Sequence, residues 1–280
     1  MSRWPIGAYA DQRKECSQDG CGPDQESGAA GRTAAEPPVA PITDPQAFSP
    51  PADRRHVDLV LSDGAYASLQ WFALACMLTD HVSKMFPMLH LAPLDWLGRL
   101  AFPTFGFVLA AKLARNGPLP LIIFMRVLKR LLLAGTCATP FYILAFKSPY
   151  GWWPLNCLFL YAVFAAMVYI LDACPRQRFH AIVLFVIGGA FVEYFWCGLF
   201  YCLTAWWYCK KHDTRAFLLW TAATALLAAP NGSFWALIAL PVILAARRID
   251  FAYRPPRHFF YVFYPMHLAA LNMLQLLCNT

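Results

Sequence analysis

From Tyr66 onward the chain alternates between long apolar blocks and short polar breaks. The blocks fall at roughly 66–89, 95–114, 127–146, 153–172, 179–194, 196–210, 216–230, 232–247 and 258–277. A helix rises about 1.5 Å per residue, so blocks of about 16–23 residues match the hydrocarbon core of a bilayer. The pattern therefore predicts an all-α fold, a polytopic transmembrane bundle of about nine spans. Pro87, Pro103, Pro140, Pro241, Pro265 and the pair Gly188 and Gly189 lie within these blocks. Such residues are tolerated in membrane helices because neighbouring helices re-satisfy the freed backbone groups. No internal repeat is visible.

Before Tyr66 the pattern is absent. Residues 1–65 are rich in Pro, Gly, Ala, Asp and Gln and contain no apolar run long enough for a signal peptide. Such a segment cannot bury enough surface to fold. The expected organisation is a disordered cytoplasmic tail over 1–65 and a membrane domain over 66–280.

Composition sharpens the picture. Of the 280 residues 59% are hydrophobic and only 14% are charged, which excludes a soluble enzyme. The tail holds six Lys or Arg against ten Asp or Glu, net −4, and the remainder seventeen against six, net +11. In the apolar part almost every cation falls in alternate breaks, around Lys112, Arg126 to Arg130, Arg176, Lys210 and Arg247. The other breaks hold only Lys147. That distribution reads as the positive-inside rule and not as a nucleic-acid footprint, and it puts the N-terminus in the cytoplasm of a multi-pass inner-membrane protein. The ten Cys show neither a paired CxxC nor zinc-type spacing, so no metal is expected.

Ionisable groups inside a membrane span are costly, and those that remain are candidates for function. Here they are Asp80, His81, Lys84, Arg99, Glu193 and His267, joined by uncharged Asn156, Tyr161, Tyr194 and Tyr264. Asp80 and His81 point about 100° apart on one helix, so each needs its own partner. Lys84, one turn on, is either an intrahelical ion pair for Asp80 or part of a site. His81 suits a general base, and Arg99 suits a fork around a carbonyl or carboxylate oxygen or else snorkels to the interface. Glu193 is the sole Glu of the apolar part. His267 is either catalytic or bonded to a carbonyl freed by Pro265. Arg126, Lys129 and Arg130 share a helix region, suited equally to the phosphates of a cytosolic ligand and to anionic lipid. No Gly-rich nucleotide loop, HExxH or GxSxG element occurs.

The ordered set LQWFALACMLTDH, GRLAFPTFGFVLA, RVLKRLLL, NCLFLY, EYFWCGLF and FFYVFYPMHL resembles the TraX family of conjugal-transfer proteins, whose F-plasmid member acetylates the N-terminus of pilin. The likeness runs from about Leu69 to Leu271. It implies a membrane acyltransferase with Asp80 and His81 as the leading catalytic pair and Arg99, Arg130, Asn156, Glu193 and His267 lining the site. It further implies acetyl-CoA as acyl donor, its phosphates on Arg126, Lys129 and Arg130, and an amine acceptor, the pilin N-terminus, as protein partner. In this reading Arg99 and Asn156 polarise the thioester carbonyl. The competing expectation is a transporter or pilus-assembly scaffold in which Asp80, His81 and Lys84 form an ion relay.

Overall fold

The computed structural model describes residues 61–89, 92–114, 118–146, 150–249, 253, 256 and 258–279. The expected tail therefore lies outside the described residues except at its end, as does Lys147. The described part is helical throughout, with only two isolated bridges. Its helices are α1 (Asp63–Met85), α2 (Ala92–Gly98), α3 (Ala101–Leu113), α4 (Leu121–Phe146), α5 (Cys157–Ala173), α6 (Arg178–Val183), α7 (Gly189–Phe191), α8 (Phe195–Lys211), α9 (Thr214–Leu226), α10 (Ala228–Asn231), α11 (Ala239–Ala246) and α12 (Phe259–Asn279). Each apolar block of the sequence corresponds to one helical stretch, although several of these are broken.

Local chemistry explains the ends. α1 opens where Ser62 accepts from the Ala65 amide at 3.0 Å, so it starts at Asp63, not at 66. Asp213 caps α9 in the same way through Ala216. α10 stops at Gly232, whose φ of 66° is the left-handed helix end that glycine adopts without cost. α4 begins at Leu121, so Arg126, Lys129 and Arg130 lie within the helix and not ahead of it.

Besides short interruptions at Phe86 and Leu227, breaks fall in three blocks. The block expected at 95–114 is split at Arg99 and Leu100 into α2 and α3. That expected at 179–194 passes through a π turn, Leu184–Gly188, between α6 and α7. Indole donors stitch this stretch: Trp196 Nε1 bonds Val186 O at 3.0 Å, and Trp153 Nε1 bonds Ala190 O at 2.9 Å. That expected at 232–247 begins as a 3₁₀ turn, Phe234–Ile238, before α11.

Contacts between helix ends fix their directions. Trp71 early in α1 packs on Phe259 and Phe260 at the start of α12, His81 meets His267, and Gln275 donates to Met85 O, so α1 and α12 run parallel. Asn272 of α12 donates to Phe141 O, which puts α4 in the same sense. α5 runs back, since Asn156 at its start reaches Gly135 and Thr139 of α4 while Asp172 at its end accepts from Lys210 at 2.5 Å and from the Leu119 amide at 2.9 Å. The bundle thus has two ends of different character. One gathers Lys112, Arg126, Lys129, Arg130, Arg176, Arg178, Lys210, Lys211, Arg215, Arg247 and Arg248. At the other end, among the described residues, only Lys84 and Arg99 are cationic.

Between the ends the core is aromatic and tightly packed. Phe107, Trp220 and Tyr208 stack in sequence, and Phe102 lies between Tyr161 and Tyr194. Tyr201 and Tyr161 hydroxyls donate to Pro103 O and Phe102 O, so these two buried phenols are satisfied by the start of α3. Large apolar side chains also cover the outside of the bundle, among them Ile122, Leu133, Met266, Met273 and Leu277. Among the described residues, by length and composition one helix, Phe259–Cys278, is apolar enough to cross a membrane, and Cys157–Ala173 and Phe234–Ala246 are shorter apolar helices.

Candidate functional site

The costly polar residues meet at the cation-poor end. Asp80 and His81 occupy the last third of α1, where a 23-residue helix has already brought them about 26 Å from its start. Both are buried. Asp80 Oδ2 takes the Lys84 ammonium at 2.6 Å, so the intrahelical pair forms, and the half-exposed Lys84 also sits 5.7 Å from the Phe146 ring centre. Gly98, the last residue of α2, lies directly on Asp80: a Cβ there would stand 2.9 Å from the Asp80 Cα. Ser83 donates to Asp95, which fastens α2 to α1 a turn away.

His81 points away from the ion pair. Its Nδ1 lies 2.7 Å from His267 Nε2, and His267 Nδ1 lies 3.0 Å from Phe263 O one turn back in α12. The ring planes are within 7° of parallel and the centres 4.9 Å apart. An N···N distance well below van der Waals stacking separation means that the rings meet edge to edge in a nearly common plane. Phe146 and Tyr264 close the other sides of His81.

Glu193 reaches the site from an unwound segment. The Leu155 amide donates to Phe191 O and the Glu193 amide to Leu155 O, both at 2.8 Å, which pins the backbone of 191–193 beside the start of α5. Tyr194 and Phe195 then take φ of 62° and 51°, a left-handed conformation uncommon for such bulky residues. Strain of this kind persists where the surroundings impose it. The half-buried Glu193 side chain faces the start of α5 and lies within electrostatic reach of Lys84, Asp80 and Arg99. Among the described residues Asp80 and Lys84 form the ion pair of the cluster, and pairing is a condition for keeping such charges in a low-dielectric interior.

Arg99, freed by the break between α2 and α3, extends Nη1 to Asn231 Oδ1 at 3.5 Å. Asn231 is buried, and its Nδ2 has no partner among the described residues. This residue was not apparent from the sequence, because the APNG context reads as a turn outside the bundle. Tyr142 and Cys157 also escaped notice. The Cys157 thiol is 3.6 Å from the Tyr264 hydroxyl, and buried Tyr142 packs on Phe146, the ring beside His81.

Asp80, His81, Arg99, Glu193 and His267 therefore belong to one cluster, and two groups of expected site residues take other places. Asn156 is next to the cluster but otherwise employed. Its Oδ1 caps α5 at the Leu158 amide, and its Nδ2 donates to Gly135 O at 3.0 Å and Thr139 Oγ1 at 3.3 Å. With both donor hydrogens committed to bracing α5 on α4, no donor remains for a substrate carbonyl. Arg126, Lys129 and Arg130 stand at the opposite end, the first two exposed and the third half-buried. They make no ion pair among the described residues. Along α4 from Arg130 to Phe146, the neighbour of His81, is about 24 Å. Among the described residues no group of His, Cys, Asp and Glu is arranged to hold a metal.

A family model described as TraX protein matches residues 65–275. The chain belongs to the TraX family. Every residue of the cluster falls within the matched range, as do the three cations on α4. Neither curated proteins nor solved structures give a match. Membership in TraX implies a conjugation-related, pilin-associated protein.

Proposed function

We propose that this TraX protein is a membrane-embedded acyltransferase that moves an acetyl group from acetyl-CoA to an amine, the N-terminus of a pilin subunit. The observation that carries this reading is the convergence of a buried imidazole, a fork-shaped cation and two carboxylates at one end of an otherwise apolar bundle. Groups this costly, drawn together with His267 from four separate helical stretches, are the usual content of a site. The apolar exterior and the succession of nine helical stretches support a bilayer setting, with the basic end in the cytoplasm.

In this mechanism His81 is the general base. The amine nitrogen attacks the thioester carbonyl, its proton passes to His81, the C–S bond breaks, and the proton goes on to the CoA sulfur. Arg99 stabilises the oxyanion of the tetrahedral intermediate, and charge-assisted donors in a dry site are the strongest stabilisers of this kind. Glu193 offers an acceptor to the incoming ammonium before it gives up a proton. The unpaired cations Arg126, Lys129 and Arg130 suit the phosphates of CoA, and its long pantetheine arm then has to run along α4 to reach His81.

The test is transfer of labelled acetyl from acetyl-CoA to pilin by the detergent-purified protein. Label on pilin with the wild type and its loss with His81→Ala is the expected result, and absence of any saturable CoA binding overturns the reading. A second reading is favoured by the Asp80–Lys84 pair beside the two-histidine chain, which resembles an ion relay. It predicts proton-coupled flux in vesicles that Asp80→Asn alters, with no CoA turnover.

A further inference from the structure

The bonds around His81 define more than a base. A carbonyl oxygen only accepts, so the 3.0 Å contact of His267 Nδ1 with Phe263 O assigns the hydrogen to Nδ1. In the neutral ring His267 Nε2 then carries the lone pair. The 2.7 Å contact with His81 Nδ1 needs one donor, so His81 holds its hydrogen on Nδ1 and presents the lone pair at Nε2. Both rings lie in nearly one plane, which is where an imidazole lone pair points. His81 Nε2 has no partner among the described residues and is not among the fully occluded polar atoms. The order Phe263 carbonyl, His267, His81 thus ends on one accessible basic nitrogen.

We infer that His267 is a positioning residue that locks His81 in its Nδ1–H tautomer and holds the second proton during the reaction. An isolated imidazole in water favours the opposite tautomer, with hydrogen on Nε2, and in that form the nitrogen facing the reaction is no base. A catalytic triad orients its imidazole with a carboxylate. Here no carboxylate bonds either ring among the described residues, and Asp80, next to His81 in the chain, is already engaged with Lys84. A neutral ring fills that place and can itself accept a proton. This second part rests on the acyl-transfer reading. When His81 Nε2 takes the amine proton, the Nδ1 hydrogen shifts across the 2.7 Å contact to His267 Nε2. His267 is then the cation, with Nδ1–H on Phe263 O and Nε2–H on His81. As the C–S bond breaks the sequence reverses: His267 returns the hydrogen to His81 Nδ1, and His81 Nε2 gives its proton to the thiolate. No proton is gained or lost and no other reactant is needed. Groups facing the pair from neighbouring elements are Phe146 of α4, Tyr264 of α12 and the Lys84 ammonium of α1.

Histidine-selective ¹⁵N NMR on the full-length protein in detergent tests the arrangement, at mildly alkaline pH where imidazoles are neutral. Comparison with His81→Ala and His267→Gln identifies the two residues among seven His. The expected spectrum places both as Nδ1–H tautomers. His267→Gln keeps an acceptor near the Nε2 position and leaves His81 as Nδ1–H, whereas His267→Phe, of similar ring size, turns it to Nε2–H. Acetyl transfer follows the same order, with His267→Phe losing on the order of 10³–10⁴-fold, as a base in the wrong tautomer does, and His267→Gln losing less. An Nε2–H His81 in the wild type, or an unchanged His81 tautomer in His267→Phe, overturns the proposal. The spectrum needs no substrate, so it decides the tautomer even if acetyl transfer is never detected.

Discussion

At the scale of single residues, chemistry and scaffolding lie side by side. In the proposed acetyl transfer, His81 is the group on which turnover depends. Replacing it by Ala is expected to reduce acetyl transfer by roughly 10²–10⁴-fold, the worth of a general base, while the protein still binds CoA. Asn156 is expected to behave in the opposite way. Asn156→Ala removes a helix cap and a brace, which costs about 1–2 kcal/mol and lowers the melting temperature in detergent, yet turnover per folded molecule stays within a few-fold. A large loss of turnover without loss of stability would restore Asn156 as a substrate ligand. Gly98→Ala drives a methyl into the Asp80 backbone, which cannot yield as a flexible side chain does. Reduced acetyl transfer with intact CoA binding is the outcome to look for, measured by titration and turnover together. Asp80, His81, Arg99, Glu193 and His267 could be named from sequence because an ionisable group in an apolar run carries its own cost. Asn156 and Asn231 could not be sorted that way, since an amide costs less and its role depends on which partners the fold supplies.

At the scale of helices, the interruptions place the chemistry. The split between α2 and α3 releases Arg99 toward Asn231. The unwound stretch before α8 turns Glu193 inward, and Leu155 satisfies the Glu193 amide and the Phe191 carbonyl. Non-helical backbone at such depth is tolerated where it is buried in protein or lines a cavity. α4 has a different task, with cations on its first turns and Tyr142 and Phe146 beside the cluster. If the cations bind CoA phosphates, Arg126→Ala with Arg130→Ala raises KM for acetyl-CoA by roughly 10²-fold or more and leaves kcat nearly unchanged, since each of the two charge-assisted bonds is worth about 1.5–3 kcal/mol. An unchanged KM would assign these residues to lipid or topology. The succession of helices was legible because apolar run length is a local property. The breaks were not, because a π turn or a left-handed Tyr194 is stable only through contacts such as the Trp196 and Trp153 indoles.

At the scale of the whole molecule, the bundle separates a basic end from the end that holds the His81 cluster, which in the proposed acetyl transfer suits a donor and an acceptor that approach from opposite faces of a membrane. The direction is measurable at Cys278, which is exposed at the end of α12 on the side of the His81 cluster. In intact cells an impermeant maleimide is expected to label Cys278, with the label lost in Cys278→Ser. Labelling of Cys278 in inverted vesicles alone would reverse the orientation. The sequence by itself determined the helical class, the positions of the helical stretches and the clustering of cations in alternate breaks. Each of these follows from hydropathy and charge summed over neighbours in the chain, because a helix satisfies its backbone within its own segment. Only the tertiary structure decided that His81 meets His267 across 186 positions, that Asn156 is a brace and that Asn231 faces Arg99. Those outcomes depend on close approach between helices, as at Gly98 on Asp80, and close approach is settled by side-chain shape and packing between segments distant in the chain.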